Sequence, residues 1–183
     1  ALVKSGHASL SDYWRTLHQD PVMLRELVDF LTINVSSFFR NIERFEDLET
    51  RILPELLETR KTLRVWSAGC SAGQEPYSIA MILKELTPRT RHYTLATDVN
   101  RTVLQVAQDG LYTEDDVKEV KPLLLAKYFT KQGDEFRLDN SIRQMVTFKI
   151  HNLLSDPYET DFDLIVCRNV MIYFTEEAKV RVF

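Results

Sequence analysis

One segment constrains the fold more than any other: Val65-Trp66-Ser67-Ala68-Gly69-Cys70-Ser71-Ala72-Gly73-Gln74-Glu75-Pro76. An apolar β-branched run (Leu63–Ser67) enters two closely spaced glycines (Ala68–Gly73). A helical pattern follows, with Pro76 at N1 and Ile79, Ile82, Leu83 and Leu86 on one stripe. A second strand is predicted at Tyr93–Thr97. Asn100 then caps a helix carrying Val103, Leu104, Val106 and Ala107, and Gly110 ends it as a C′ residue. Strand, helix, strand, helix means a parallel sheet and an α/β fold. Met145–Ile150 and Phe162–Cys167 are further apolar runs, each followed at once by an asparagine, Asn152 or Asn169. Polar residues just past strand ends are where open α/β sheets bind ligands.

Before this unit the chain has no glycine after Gly6 and reads as helices. Leu24, Leu27, Val28 and Leu31 follow the spacing of an amphipathic helix. A break follows at Asn34–Ser37, then a helix with Phe38, Phe39, Phe45, Leu48 and Ile52, capped by Ser36 or Ser37. The expected division is therefore a helical domain over 1–60 and an α/β domain over 61–183. Tyr128–Thr130 and Glu135–Leu138 flank a turn at Gln132-Gly133-Asp134, a hairpin that places a small β-subdomain near 128–150.

In this α/β setting the residue types select a ligand. The glycine turn lacks the middle glycine of the dinucleotide fingerprint and the Lys-Ser/Thr ending of a phosphate loop. Asp98 ends the second strand, where a Rossmann-like sheet uses an acid on ribose hydroxyls. Glu75 repels a pyrophosphate and favours a positively charged ligand. Adenosine without phosphates suits the combination, and S-adenosylmethionine is the commonest such ligand. A structural alternative stands beside this reading: Asp98 with Asn100 as a helix cap, and Glu75 at the positive end of a helix dipole.

Composition removes other classes. Of 183 residues, 44% are hydrophobic and 27% charged, which excludes a disordered chain, and a formal charge of −4 gives no field for nucleic acid. Cys70 and Cys167 stand far apart without a C-x-x-C, and His7, His18, His92 and His151 show no metal spacing, so no metal site is expected. No apolar run approaches the roughly 20 residues of a membrane span, and the first residues lack a signal peptide's plan. The expectation is a cytoplasmic protein.

Taken in order, Asn34-Val-Ser-Ser-Phe-Phe-Arg40, Trp66 through Met81, Thr97-Asp98, Asn152-Leu-Leu154 and Cys167-Arg-Asn-Val-Met-Ile-Tyr-Phe174 are similar to the chemotaxis receptor methyltransferases, the CheR family. The resemblance runs from about Ser11 to the end. It implies a Rossmann-like class I methyltransferase sheet behind a small helical domain, S-adenosylmethionine as cofactor with S-adenosylhomocysteine as product, and no metal. It implies glutamate side chains on the cytoplasmic helices of chemoreceptors as substrate. Its cofactor pocket falls here on Asn34, Ser36, Arg40, Ala68, Gly69, Glu75, Asp98, Asn152, Leu153, Arg168 and Asn169. Ser36 stands where the family has threonine and keeps the hydroxyl. Gln74 stands where it has glutamate, with little effect expected. The family's chains run further at both ends, so these residues are expected to be part of a longer protein.

The chemistry needs no proton shuttle, because a glutamate carboxylate, which ordinarily titrates at about 4.3, is already ionised at neutral pH. Position and electrostatics remain to be supplied. Arg40 is the candidate to hold a carboxylate, either the cofactor's methionine end or the incoming glutamate. Tyr173 is the second catalytic candidate, closing over the methyl or orienting the glutamate, with packing beside Phe174 as its structural alternative. Asn169-Val170-Met171-Ile172 lacks the prolines and aromatic of amine-methylating enzymes. The competing functions are another class I methyltransferase acting on a different protein or small molecule, and a non-catalytic S-adenosylmethionine-binding sensor.

Overall fold

A computed structural model describes residues 9–24, 27 and 36–182. The chain divides into two compact units, Ala1–Asn34 and Val35–Phe183. In the first, α1 (Leu10–Gln19) starts at Ser9, whose hydroxyl accepts the Asp12 N–H at 3.1 Å, and it buries Tyr13 and Leu17. Asp20 accepts the N–H groups of Val22 and Met23, so a second helical turn begins directly afterwards. Of the expected stripe, Val28 and Leu31 lie outside the described residues, as does Asn34.

The expected boundary at residue 60 is corrected to 34/35. Phe38, Phe39, Phe45, Leu48 and Leu53 belong to the same core as Val65, Ile79 and Leu83, so the segment before the sheet is part of the sheet's own unit. The helix expected to start beside Ser36 or Ser37 starts later, as α2 (Ile42–Asp47). Phe39 and Asn41 sit at φ of 55° and 62°, which no helix accommodates. Tertiary bonds hold them there: the Phe38 N–H donates to the Asp116 carbonyl at 2.9 Å and the Phe39 N–H to Ser78 Oγ at 3.0 Å. A π-helical turn (Leu48–Ile52) joins α2 to α3 (Leu53–Thr59).

Then follow β1 (Arg64–Ala68), α4 (Gln74–Leu86), β2 (Tyr93–Asp98), α5 (Arg101–Asp109), β3 (Leu111–Tyr112), α6 (Glu114–Val117) and α7 (Pro122–Tyr128). The rest is β4 (Phe129–Gln132), β5 (Glu135–Leu138), α8 (Asn140–Arg143), β6 (Val146–Ile150), β7 (Leu164–Val166), a 3-10 turn (Met171–Tyr173) and α9 (Glu176–Val182). The main sheet has the order β6-β2-β1-β7 and is parallel throughout. Its register aligns the strand ends: Ala68 faces Thr97, Ser67 faces Val166, and Asp98 faces Ile150. Every loop leaving a strand C-terminus therefore opens on the same edge.

α4 crosses one face and is buried from Pro76 to Leu83, with Pro76 as its third residue rather than N1. A missing N–H is tolerated there because the first four have no intrahelical partner anyway. Trp66, Ala68, Leu95 and Leu153 form a second cluster. The hairpin β4–β5 turns at Gly133 (φ 63°) with Gln132 opposite Glu135. Its third strand is β3, so the small sheet spans 111–138 and not 128–150, because β6 pairs with β2 in the main sheet.

Candidate functional site

The strand-end edge is organised around the glycine turn. The N–H groups of Gly69 and Cys70 donate to the Thr97 carbonyl at 2.8 and 2.9 Å, and that of Ser71 to Asp98 Oδ2 at 2.8 Å. Asp98 Oδ1 accepts the Asn100 N–H at 2.9 Å. The helix cap is Asn100 itself, whose Oδ1 takes the N–H groups of Thr102 and Val103. Asp98 thus braces the turn while each carboxylate oxygen keeps a further lone pair. The glycines serve packing first. A Cβ on Gly69 would lie 2.2 Å from Val170 Cγ2, and one on Gly73 would meet Ala107, Phe148 and Tyr77. Ala68 ends β1 directly beside them, buried.

Glu75 sits one residue into α4, largely buried, with Ser67 Oγ donating to it at 2.9 Å and Arg168 Nη1 in an ion pair with it at 3.6 Å. Burial pushes its carboxyl up, while Ser67, Arg168 and Arg40 pull it back. The upward net direction means that these partners do not fully offset burial, so a further positive group would be welcomed. Arg168, just past β7, donates from Nη2 to the Arg40 carbonyl at 2.9 Å and to Asn41 Oδ1 at 2.7 Å, with its guanidinium over the Phe45 ring. The segment carrying Ser36 and Arg40 is fixed from its other side by Phe38, edge-on to Tyr112 and Phe129. The two phenylalanines Phe38 and Phe39 are therefore anchors that place Arg40 at the site.

Asn152 and Leu153 leave β6 in a loop in which Asn152 Oδ1 accepts the Leu154 N–H at 2.9 Å and Leu153 is buried. Asn169 follows Arg168 at φ 60° and is exposed. Tyr173 is 59% exposed and stays out of the apolar cluster against which Phe174 packs. Its ring therefore stands on the surface rather than beside Phe174 in the core. The structure sets Arg168 against Glu75 and against the Arg40 carbonyl, and puts Ala68, Gly69, Asp98, Asn152, Leu153 and Asn169 on the same edge. Ser36 shares the Arg40 segment.

Several participants were missed by sequence reasoning. Ser71 supplies an N–H to Asp98 and has a buried Oγ without a partner. Ser67 was legible as a hydroxyl at a buried strand position, but its partner eight residues on was not. Gln74 carries more than expected: it is buried, and its Nε2 donates to Asp116 Oδ1 at 3.0 Å, where a glutamate would set its own carboxylate against that of Asp116. Burial raises both Cys70 and Cys167, favouring neutral thiols. His92 is a satisfied core residue, accepting the Leu63 N–H at 3.0 Å. Among the described residues no cluster of His, Cys, Asp or Glu could hold a metal.

This donor set fits S-adenosylmethionine: a buried carboxylate for a cation, an aspartate with open lone pairs, and a buried hydroxyl without a partner on the glycine turn. The family model described as "CheR methyltransferase, SAM binding domain" matches residues 34–183. The chain belongs to the CheR methyltransferase family. The chemotaxis protein methyltransferase of Listeria monocytogenes is 45% identical over 180 residues, covering 97% of this chain and 68% of that protein. That of Borreliella burgdorferi is 39% identical over 188 residues, covering 95% and 66%. Chemotaxis protein methyltransferase 1 of Pseudomonas aeruginosa is 36% identical over 189 residues, covering 96% and 69%. This CheR chain thus spans about two thirds of the length of these relatives. The parallel α/β sheet expected from the sequence is the one described above.

Proposed function

We propose that this chain transfers a methyl group from S-adenosylmethionine to glutamate side chains on the cytoplasmic helices of chemoreceptors, giving glutamate methyl esters. The observation that carries this reading is the CheR family match over residues 34–183, which takes in the whole glycine-turn edge. When bound, S-adenosylmethionine supplies a methyl group made electrophilic by its sulfonium. Asp98 would accept ribose hydroxyls, Glu75 would face positive charge, and Ser36, Ala68, Gly69, Asn152, Leu153 and Asn169 would line the pocket. Arg168 would hold Arg40 in place through the Arg40 carbonyl and Asn41. Arg40 would hold a carboxylate, and Tyr173, exposed at the rim, would orient the incoming glutamate. No residue has to remove a proton, because the nucleophile is already an anion.

The reaction would take place in the cytoplasm. No helix among the described residues is long and apolar enough to cross a membrane. Labelling receptor fragments with methyl-tritiated cofactor tests the reading. The expected product is a base-labile label released as methanol, formed at a rate that is flat from about pH 6 to 8. A base-stable label, or a rate rising with a midpoint near 7, would point to an amine or thiol substrate and overturn it.

A further inference from the structure

His151 is a buried polar residue at the strand-end edge that the proposed chemistry leaves unused. Only 5% of it is exposed, and its Nε2 is buried without a hydrogen-bond partner. Its ring lies edge-on to Trp66 at 5.7 Å and against Tyr158 at 5.7 Å. If stacking were its whole purpose, phenylalanine would serve without burying an unsatisfied nitrogen. The polar edge faces a carboxylate without bonding to it directly: Nδ1 lies 3.9 Å from Asp156 Oδ2, longer than a hydrogen bond. The same Asp156 oxygen accepts the Asn152 N–H at 2.9 Å. Tyr158 donates through its hydroxyl to the Leu153 carbonyl. The His151 N–H donates to the Asp98 carbonyl at 3.0 Å. The backbone of this residue thus bonds to the end of β2, which carries Asp98, while its ring lies beside Asp156 and Tyr158 of the loop that carries Asn152 and Leu153.

We infer that His151 is a positioning residue for the cofactor pocket: through Asp156 and Tyr158 it holds Asn152 and Leu153 at a fixed offset from Asp98. The inference rests on the S-adenosylmethionine reading of this edge. It acts through other groups, and the His151 side chain itself touches no reacting atom. Its Nδ1 is the functional atom, so asparagine, whose amide nitrogen can take the place of Nδ1, should preserve the geometry better than phenylalanine, which preserves only the ring.

Calorimetric titration of the 183-residue chain with S-adenosylhomocysteine, paired with thermal melts, tests this. His151→Phe is expected to weaken binding about tenfold while melting near wild type. His151→Asn is expected to bind within about threefold of wild type although it melts lower, having lost the stacking on Trp66. Asp156→Asn should reproduce the affinity loss of His151→Phe and add little to it in the double variant. If affinity instead follows melting temperature across the set, or all variants bind like wild type, His151 is a packing residue and the inference falls. Absence of binding by the wild-type chain would overturn the cofactor reading as well, which separates the two failures.

Discussion

Glu75 is where stability and function pull in opposite directions. Its folded carboxyl is raised from the ordinary value of 4.5, with burial the largest cause and Ser67, Arg168 and Arg40 opposing. The folded state therefore holds its proton to higher pH than the unfolded chain does. Its contribution to stability is fully present below 4.5 and is lost as pH rises through the folded value. Glu75→Gln should melt with wild type at acid pH and above it at neutral pH, while its affinity for S-adenosylhomocysteine falls. Melting curves at a series of pH values check this. A variant less stable than wild type at neutral pH would mean that the 3.6 Å approach of Arg168 outweighs burial. Asp98 poses no such conflict, because its oxygens are already used to brace the turn and Asn100. Both acids were legible in the sequence from their places after a glycine turn and at a strand end. Asn100 was legible beside Asp98, but the partners Ser71 and Arg168 were not, since each lies far in the chain from its acid.

Among the elements, the strand–turn–helix unit β1–α4 is the one whose form the rest of the site depends on. Gly69 is held at φ 77° with Val170 Cγ2 where its Cβ would be. Gly69→Ala faces two separate costs: about 1–2 kcal/mol for a left-handed alanine and about 1–3 kcal/mol for overpacking. Urea unfolding should show their sum. Adding Val170→Ala should recover the overpacking share and leave the backbone share, a coupling that a double-mutant cycle reads directly. Strictly additive effects would show that the loop after β7 moves aside freely. The two glycines announced a turn in the sequence. That the turn packs against a loop roughly a hundred residues later needed the β1–β7 pairing. The element before the sheet was legible in kind but not in extent, because Phe39 and Asn41 adopt positive φ under the pull of Ser78 and Arg168 rather than from local preference.

For the molecule as a whole, the division at 34/35 makes a prediction that a division at 60 would not. A chain shortened to 35–183 should melt cooperatively, whereas one shortened to 61–183 would remove Phe38, Phe45 and Leu53 from the core. Losing even one such side chain costs about 2–5 kcal/mol, and losing three exceeds what a domain can spare. The second chain should aggregate or lack a melting transition, and a cooperative melt from it would refute the shared core. The sequence alone determined the alternation of apolar runs, glycine turn and helices, and with it a parallel sheet with polar residues at its strand ends. It also determined the family, because Asn34–Arg40, Trp66–Met81 and Cys167–Phe174 stand in one order in one chain. These signals survive in one dimension because side-chain period and turn chemistry act over a few residues. Tertiary structure alone decided which unit residues 36–60 join, which strand belongs to which sheet, and how Arg168 spans Arg40 and Glu75. Burial and strand pairing join residues far apart in the chain, and no local spacing encodes which distant partner closes the contact.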